Sequence, residues 1–361
     1  MTIALESAVR APEPVLRQLV TEIFESCRMS PQHASLLADT LVVADLGGIH
    51  SHGVLRVAEY VKKLTVEGVD PVGKPHIVSE FGSCLVVSGD NSMGQIGAQF
   101  AMEEVISRAR ESGIAAAGIR DSNHCGAVGY FAEQAVRYDM IGIATTNALP
   151  TMAPWGGAEK ILGINPLAVG IPAGDEKPIL YDAAFSGSSH GKIRIHHQKG
   201  IEIPGTWALD AQGRPTTDPA AAIDGLLLPI GGFKGAGLAM VMGILSSLLS
   251  GASYGTELGN MDDGPRAGGD GHFVAAIKVE AFEVIERFKT RVDAAIRQIH
   301  ASRLAPGFDR TYAPGEMELL RRDQYSSEGI PLDSVTLAEL GRTAVHRGIA
   351  ISGFDWIPSK D

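Results

Sequence analysis

The sequence predicts a mixed α/β fold, and three observations carry that reading. The middle of the chain alternates short apolar runs of strand length with longer stretches whose apolar residues recur at helical spacing. Both chain ends read as helix. The 43 glycines of the 361-residue chain cluster at 156–163, 187–191, 231–237 and 264–271. Apolar segments flank each cluster closely, which marks tight turns and close backbone approaches inside a packed fold rather than linker.

In chain order, residues 12–46 divide into two helices. The second opens at Ser30-Pro31, a serine N-cap with proline at N1. A helix over 51–65 follows, because Val54, Ala58, Val61 and Leu64 recur at helical spacing and Ser51 holds the N-cap position. Residues 83–88 form a short strand. Residues 95–112 form a helix that stops at Gly113, and 114–119 a buried strand. A helix over 126–139 leads to strands at 141–146, 166–171 and 179–184. Residues 234–250 make a strongly apolar helix, 273–279 a strand, 281–300 a long helix, and 334–347 a last one. The two ends, 1–75 and 300–361, group into one helical unit, and 76–299 into a glycine-rich sheet unit.

Composition narrows the function. Lys+Arg 31 against Asp+Glu 42 gives a formal net charge of −11, the wrong sign for a sequence-independent nucleic-acid binder. No apolar run approaches the roughly 20 residues that span a bilayer. The start, Met-Thr-Ile-Ala-Leu-Glu-Ser, lacks the basic and apolar parts of a signal peptide. Three scattered cysteines, Cys27, Cys84 and Cys125, fit a reduced, cytoplasmic protein without a disulfide framework. No strand–Gly-x-Gly-x-x-Gly–helix with an acidic residue about 20 positions on is present, so a dinucleotide would not bind in the Rossmann manner.

Five segments hold the groups that could carry chemistry. In Gly47-Gly-Ile-His-Ser-His-Gly-Val-Leu-Arg56, a hydroxyl (Ser51), an imidazole (His52) and a guanidinium (Arg56) fall within six residues. On a helix, His52 and Arg56 share a face, so a proton donor and a carboxylate clamp point the same way. A helix N-terminus and the arginine both favour neutral imidazole, and a carboxylate partner would oppose them; a capping or core histidine is the alternative. Ser122-Asn-His124-Cys-Gly-Ala-Val-Gly129 places Asn123 and His124 at a strand's carboxyl end, where open α/β sheets place ligands, unless Ser122 or Asn123 simply caps the helix. Thr145-Thr-Asn-Ala-Leu-Pro-Thr-Met-Ala-Pro-Trp-Gly-Gly157 is a stiff segment able to hold a flat ring, closed by Gly163-Ile-Asn-Pro166; it could equally be a structural loop. Asp182 ends an apolar strand and is the candidate for orienting a catalytic histidine. The Ser186-Gly-Ser-Ser189 turn behind it can offer backbone N–H groups to phosphate. Gly231-Gly-Phe-Lys234-Gly-Ala-Gly237 opens an apolar helix with a lysine and glycines, an anion site or a packing device. His50-x-His52 and His196-His197 lack further ligands at metal spacing, and no Gly-x-Ser-x-Gly elbow is present.

Taken in order, Gly48-Ile-His-Ser-His-Gly-Val-Leu-Arg, Ser122-Asn-His-Cys-Gly-Ala, Met152-Ala-Pro-Trp-Gly-Gly, Gly163-Ile-Asn-Pro, Gly200-Ile-Glu-Ile-Pro, Thr216-Thr-Asp-Pro, Gly231-Gly-Phe-Lys-Gly and Pro314-Gly-Glu resemble the type-2 malate/L-lactate dehydrogenase family. Its members are NAD(P)-dependent oxidoreductases of 2-hydroxy and imino acids, of the ureidoglycolate and sulfolactate dehydrogenase kind. The likeness runs from about residue 12 to about 345. It implies a non-Rossmann, L-sulfolactate dehydrogenase-like fold, with a largely antiparallel sheet in the cofactor domain and a helical substrate and dimerisation domain. It also implies a homodimer, NAD as cofactor (NADP being possible), a small carboxylate substrate and no metal.

By the same resemblance His52 is the acid–base residue. Arg56 contacts the substrate carboxylate, with Ser51, Asn147 and Thr151 beside it. In ureidoglycolate dehydrogenase the catalytic role falls to the histidine matching His124. The cofactor would lie along His124, Thr146, Asn147, Pro150, Met152, Asp182, Ala184, Phe185, Ser186, Gly232, Lys234, Gly235, Pro314, Gly315 and Glu316, with Asp182 steadying His52. Two departures stand out: Phe185 replaces a small hydroxyl residue of the family's Asp-Met-Ala-Thr-Ser, and Phe233 replaces a frequent histidine. His190, Lys192 or Arg194 could meet a 2′-phosphate. The leading reading is hydride transfer to or from the carbon beside a carboxylate. Reduction of a cyclic imino acid is the second, and a non-catalytic nucleotide or small-anion sensor the third.

Overall fold

The chain opens with elements whose ends the local sequence dictates. Strand β1 (Val9–Ala11) leads through Pro12 into helix α1 (Glu13–Glu25). The hydroxyl of Ser30 then accepts the His33 N–H and starts helix α2 (Pro31–Leu46) with proline in its first turn, as the sequence predicts. The expected continuous helix from Ser51 is not formed. Two 3₁₀ turns, His50–His52 and Val54–Arg56, precede helix α3 (Val57–Thr65). The cause is Asp45, 1% exposed, whose carboxylate takes the Val54 N–H at 2.7 Å and pairs with His50 Nδ1 at 2.7 Å. That clamp turns the backbone at Gly53, where a Cβ would overlap the carboxylate.

This computed structural model describes residues 9–66, 68–260, 267–351, 354 and 356; Gly264 of the fourth glycine cluster lies outside them. After α3 come β2 (His76–Phe81), β3 (Cys84–Ser88), α4 (Gly94–Ser112), β4 (Ile114–Ser122), α5 (Gly129–Val136), β5 (Met140–Thr146), β6 (Leu167–Ile171) and β7 (Ile179–Ala183). Next are α6 (His190–Lys199), β8 (Ala208–Leu209), α7 (Pro219–Asp224), β9 (Leu226–Leu227), α8 (Phe233–Ser246), β10 (Asp270–Lys278), α9 (Ile285–His300), α10 (Glu316–Glu328), β11 (Ile330–Leu332) and α11 (Ser334–His346). Among the described residues no helix is long and apolar enough to cross a membrane.

One seven-stranded sheet runs β2-β3-β4-β10-β5-β6-β7. Only β3 and β4 pair in parallel; every other neighbour is antiparallel. The largely antiparallel, non-Rossmann sheet is therefore present. Its topology positions the site. β4 and β5 are each antiparallel to β10, and β5 and β7 each antiparallel to β6, so β4, β5 and β7 all point the same way. The registers His272↔Thr146, Thr145↔Leu167 and Leu167↔Ala183 align their carboxyl ends along one edge of the sheet. From that edge emerge His124, the 147–153 loop and the 184–189 turn.

Three large apolar cores, with a small fourth cluster of Ala153, Leu209 and Leu226, hold this arrangement. One draws on both chain ends, joining Leu16, Phe24, Leu41, Tyr60 and Leu64 to Ile330, Leu332, Leu337 and Leu340, with β1 paired to β11. The second lies between the sheet and α4 and α5. The third, around Met152, Leu162, Phe185, Ile193, Leu227 and Met242, packs a small lobe inside 76–299 that the sequence reading did not separate.

Candidate active site

The 3₁₀ turns place two histidines together. His52 and His124 stack with ring centroids 5.9 Å apart and planes 17° from parallel. Each ring is fixed from outside. Ser51 Oγ lies 3.0 Å from His52 Nδ1, and Tyr60 Oη 2.7 Å from His124 Nδ1. Gln95 Nε2 donates to Tyr60 Oη at 3.2 Å. Both imidazoles keep part of their surface open, yet protein surrounds them closely enough that burial, followed by the charge of Arg56, lowers His52 to about 4 and holds His124 well below the usual range. Both rings are neutral near pH 7.

Arg56 is preset rather than dangling. Its Nε donates to the Ser51 carbonyl at 2.9 Å, and Nη1 pairs with Glu59 at 2.6 Å. Its charge reaches His52, His124 and Tyr60 alike, so the guanidinium and these rings share one neighbourhood. Ser51 is not an N-cap; its hydroxyl goes to His52.

Asp182 is placed differently from expectation. Its carboxylate accepts the Gly129 N–H at 2.8 Å at the start of α5, and no bond joins it to either histidine. The carboxylate bound to a nearby histidine is instead Asp45, on His50. Asp182 is open to solvent by surface area yet walled by protein mass, and burial pushes its carboxyl up to about 6 against the opposing Gly129 bond.

Several predicted ligands are engaged in structure. Thr146 Oγ1 bonds His272 Nδ1 at 2.8 Å, and His272 Nε2 meets Ser122 Oγ at 2.8 Å; burial lowers His272 to about 4. Asn147 donates to Ser253 O and accepts from Gly271 N. Asn123 bonds Asn91, Ser92 and Gly268. The side chains of Met152 and Phe185 are sealed in the third core, so only their backbone can face a ligand. Pro150 is buried, and Thr151 and Ala184 half-buried. Glu316 is held by His300 at 2.7 Å, by Arg310 and by the Ala313 N–H. It fixes the 310–316 loop, in which Pro314 O accepts from Leu180 N and Gly315 abuts Leu180.

The glycine-rich turns do come together. Gly187 N donates to Leu228 O at 2.7 Å, and Ile230 N to Phe185 O at 2.9 Å. Ser186 thus lies beside the turn of Gly231 and Gly232 (φ +61° and +66°) that carries exposed Lys234. Gly235 packs on the Ile230 carbonyl. Asn165 ties the 147–153 loop to α8, accepting from Ala148 N and donating to Ala239 O.

A dinucleotide's phosphates fit this corner. Ser188 is 6% exposed and its Oγ has no partner, and Ser189 caps α6. The charges of Lys160 and Arg194 reach His190. No group of three metal-ligating side chains occurs among the described residues.

Sequence reasoning missed Tyr60, Gln95, Glu59 and Asp45. Tyr60 falls four residues after Arg56, a spacing that pointed to it; Gln95 carries no local signal, because only the packing of α4 on α3 brings it in.

Comparison with known proteins gives the family. The pattern of the malate/L-lactate dehydrogenase family matches residues 12–341. A malate dehydrogenase of Pyrococcus abyssi is 36% identical over 95% of this chain and 96% of its own. An NAD(+) ureidoglycolate dehydrogenase of Escherichia coli O157:H7 is 35% identical over 88% and 90%. The solved sulfolactate dehydrogenase of Methanocaldococcus jannaschii superposes with TM-score 0.90 at 35% identity, over 96% of this chain and 99% of that one. A Δ1-pyrroline-2-carboxylate/Δ1-piperideine-2-carboxylate reductase of Pseudomonas syringae pv. tomato is 30% identical over 92% and 96%. The chain belongs to the malate/L-lactate dehydrogenase family. It is a dehydrogenase, of a class that implies a nicotinamide cofactor.

Proposed function

We propose that the enzyme transfers a hydride between nicotinamide and the carbon beside the carboxylate of a small 2-hydroxy or 2-oxo acid, of the malate, lactate, ureidoglycolate or sulfolactate type. The observation that carries this is the stacked His52–His124 pair under the charge of Arg56. When bound, the nicotinamide supplies or accepts the hydride. Arg56 holds the substrate carboxylate, its guanidinium set by Glu59 and the Ser51 carbonyl. In the oxidation direction His52, neutral at pH 7, takes the hydroxyl proton; in reduction its imidazolium returns one to the carbonyl oxygen. Bound carboxylate offsets the Arg56 charge that helps hold His52 down, so substrate binding raises the ring's proton affinity just where a proton must be kept.

The cofactor phosphates would rest on the 186–189 turn, the start of α6 and Lys234. NAD(H) is the first reading, from the name of the ureidoglycolate relative. NADP(H) is favoured by one observation: Lys160, Lys192 and Arg194 make no ion pair among the described residues, while most arginines of this acidic chain do. Cyclic imino acid reduction is the second substrate reading, favoured by the 30% identical reductase. The same clamp would serve it. The homodimer reading is supported by exposed Leu238 and Val241 on α8. The cytoplasmic reading is supported by three free thiols.

NADH and NADPH oxidation across a panel of 2-oxo acids and cyclic imines tests the assignment. We expect a 2-oxo acid to be the best substrate. His52→Ala should cut kcat by about 10²–10⁴-fold, the range of positioned acid–base groups, with cofactor affinity largely kept. Near wild-type turnover in that variant would end the role, and silence across the whole panel would favour a non-catalytic binder.

A further inference from the structure

We propose that Tyr60, held by Gln95, is a positioning residue that fixes His124 in the tautomer with its proton on Nε2. This rests on the reading of His124 as part of the hydride-transfer site, and the hydrogen-bond geometry carries it. Tyr60 and Gln95 are both fully buried, and Gln95 Oε1 has no partner, so the bonds that Tyr60 makes are set by the protein alone and not by water. The Tyr60 oxygen accepts the Gln95 N–H at 3.2 Å, leaving its single proton for His124 Nδ1, 2.7 Å away. A second donor, the Gly126 N–H, approaches the same nitrogen at 3.4 Å. Two donors converging on Nδ1 need its lone pair, and a neutral imidazole then carries its one proton on Nε2. The reverse arrangement, with Gln95 Oε1 accepting from Tyr60, would put a proton on Nδ1 and aim the Gly126 N–H at it. Burial pushes the Tyr60 hydroxyl well above its ordinary range, so it keeps its proton in either arrangement, and the Gly126 N–H aimed at Nδ1 is what selects the first. Phe24 packs against the Tyr60 ring, centroids 6.5 Å apart, and fixes its reach.

The consequence is a division of labour between the stacked rings. His124 can only donate, through Nε2, toward a substrate oxygen. His52 remains the ring that gains and loses the proton.

Long-range ¹H–¹⁵N NMR of the full-length protein labelled at histidine nitrogens tests this, with the His124 signals assigned as those lost in His124→Asn. Wild type should show a protonated Nε2 and a bare, hydrogen-bonded Nδ1. Tyr60→Phe should show both tautomers in exchange. Its kcat should fall by on the order of 10²-fold, the lower end of what a positioned acid–base group supplies, with KM for the carboxylate within a factor of about two if ground-state binding is untouched. Should Tyr60→Phe fail to fold, Gln95→Leu takes its place, with the same tautomer mixing and a smaller loss of kcat. A protonated Nδ1 in wild type, or an unchanged tautomer and kcat in a folded variant, overturns the proposal. The tautomer is read without substrate or cofactor, so an enzyme that oxidised no NAD(P)H would sink the proposed function and leave this measurement standing.

Discussion

His52 and Asp182 show how burial moves protons in opposite senses. Burial lowers the imidazole to about 4 and raises the carboxyl to about 6, because each loses water around its charged form. Their effects on stability have opposite signs. A carboxyl with a folded-state pKa above its unfolded value stabilises the fold only while protonated, so the contribution of Asp182 disappears as pH rises from about 4 to about 6. Neutral His52, and His272 with it, costs stability as pH falls over nearly the same range. The whole-protein curve blurs the two, and a difference curve separates them. Asp182→Asn keeps an acceptor for the Gly129 N–H but has no charge to desolvate. Its Tm minus that of wild type should grow more positive from pH 4 to pH 7 and then level. A flat difference, measured calorimetrically, would mean that Asp182 is already well solvated.

At the scale of elements, the site depends on a chain break that hydrophobic spacing does not reveal. Val54, Ala58, Val61 and Leu64 recur as on a continuous helix, and α3 has that stripe, but it begins only at Val57. Asp45 is the reason: its buried carboxylate takes Val54 N–H and His50 and bends the approach into two 3₁₀ turns. Gly53→Ala should therefore displace that carboxylate, since the added Cβ has no room beside it. We expect a loss of about 1–3 kcal/mol, the usual cost of overpacking, and a fall in kcat larger than in stability because His52 moves with the turn. Chemical denaturation alongside steady-state kinetics would show it; a variant of wild-type Tm and kcat would mean that Asp45 does not set the turn. Wherever a local rule held, the sequence could be read. Ser30 caps α2, Gly113 ends α4 with φ +81°, and the apolar runs became β4, β5, β6, β7 and β10. What stayed hidden needed distant partners. β2 is an exposed edge strand without apolar alternation. β1 finds β11 across the whole chain. The α6 segment, rich in charge, has one buried residue, Ile193. In the candidate site, short motifs hold His52, Arg56 and His124, whereas the hydrogen bonds of Thr146, Asn147 and Glu316 reach distant segments and left no trace in the local sequence.

Across the whole molecule, the distribution of apolar surface argues for assembly. α8 is among the most apolar helices of the chain, yet Phe233, Leu238, Met240 and Val241 are exposed, and Leu248 and Leu249 continue the surface past its end. Leu238 and Val241 stand one turn apart on the same face, and a contiguous apolar surface of this kind marks an interface. The first turn of α8 carries Gly232 and Lys234 beside the 186–189 turn, so covering α8 also steadies the corner proposed to hold cofactor phosphates. Leu238→Asp combined with Val241→Asp places two charges on that face without touching the third core, whose α8 contacts are Ala236, Ala239, Met242 and Leu245. Light scattering behind size exclusion should give the mass of two chains for wild type and of one for the double variant. The separated chains should keep their Tm to within a few degrees, the shift that about 1 kcal/mol produces in a chain of this size, and bind NADH several-fold more weakly. A double variant that still ran as two chains would move the interface elsewhere. Dissociated chains with unchanged NADH affinity would keep the dimer but remove the link between α8 and the cofactor corner, leaving the phosphates to the α6 turn alone.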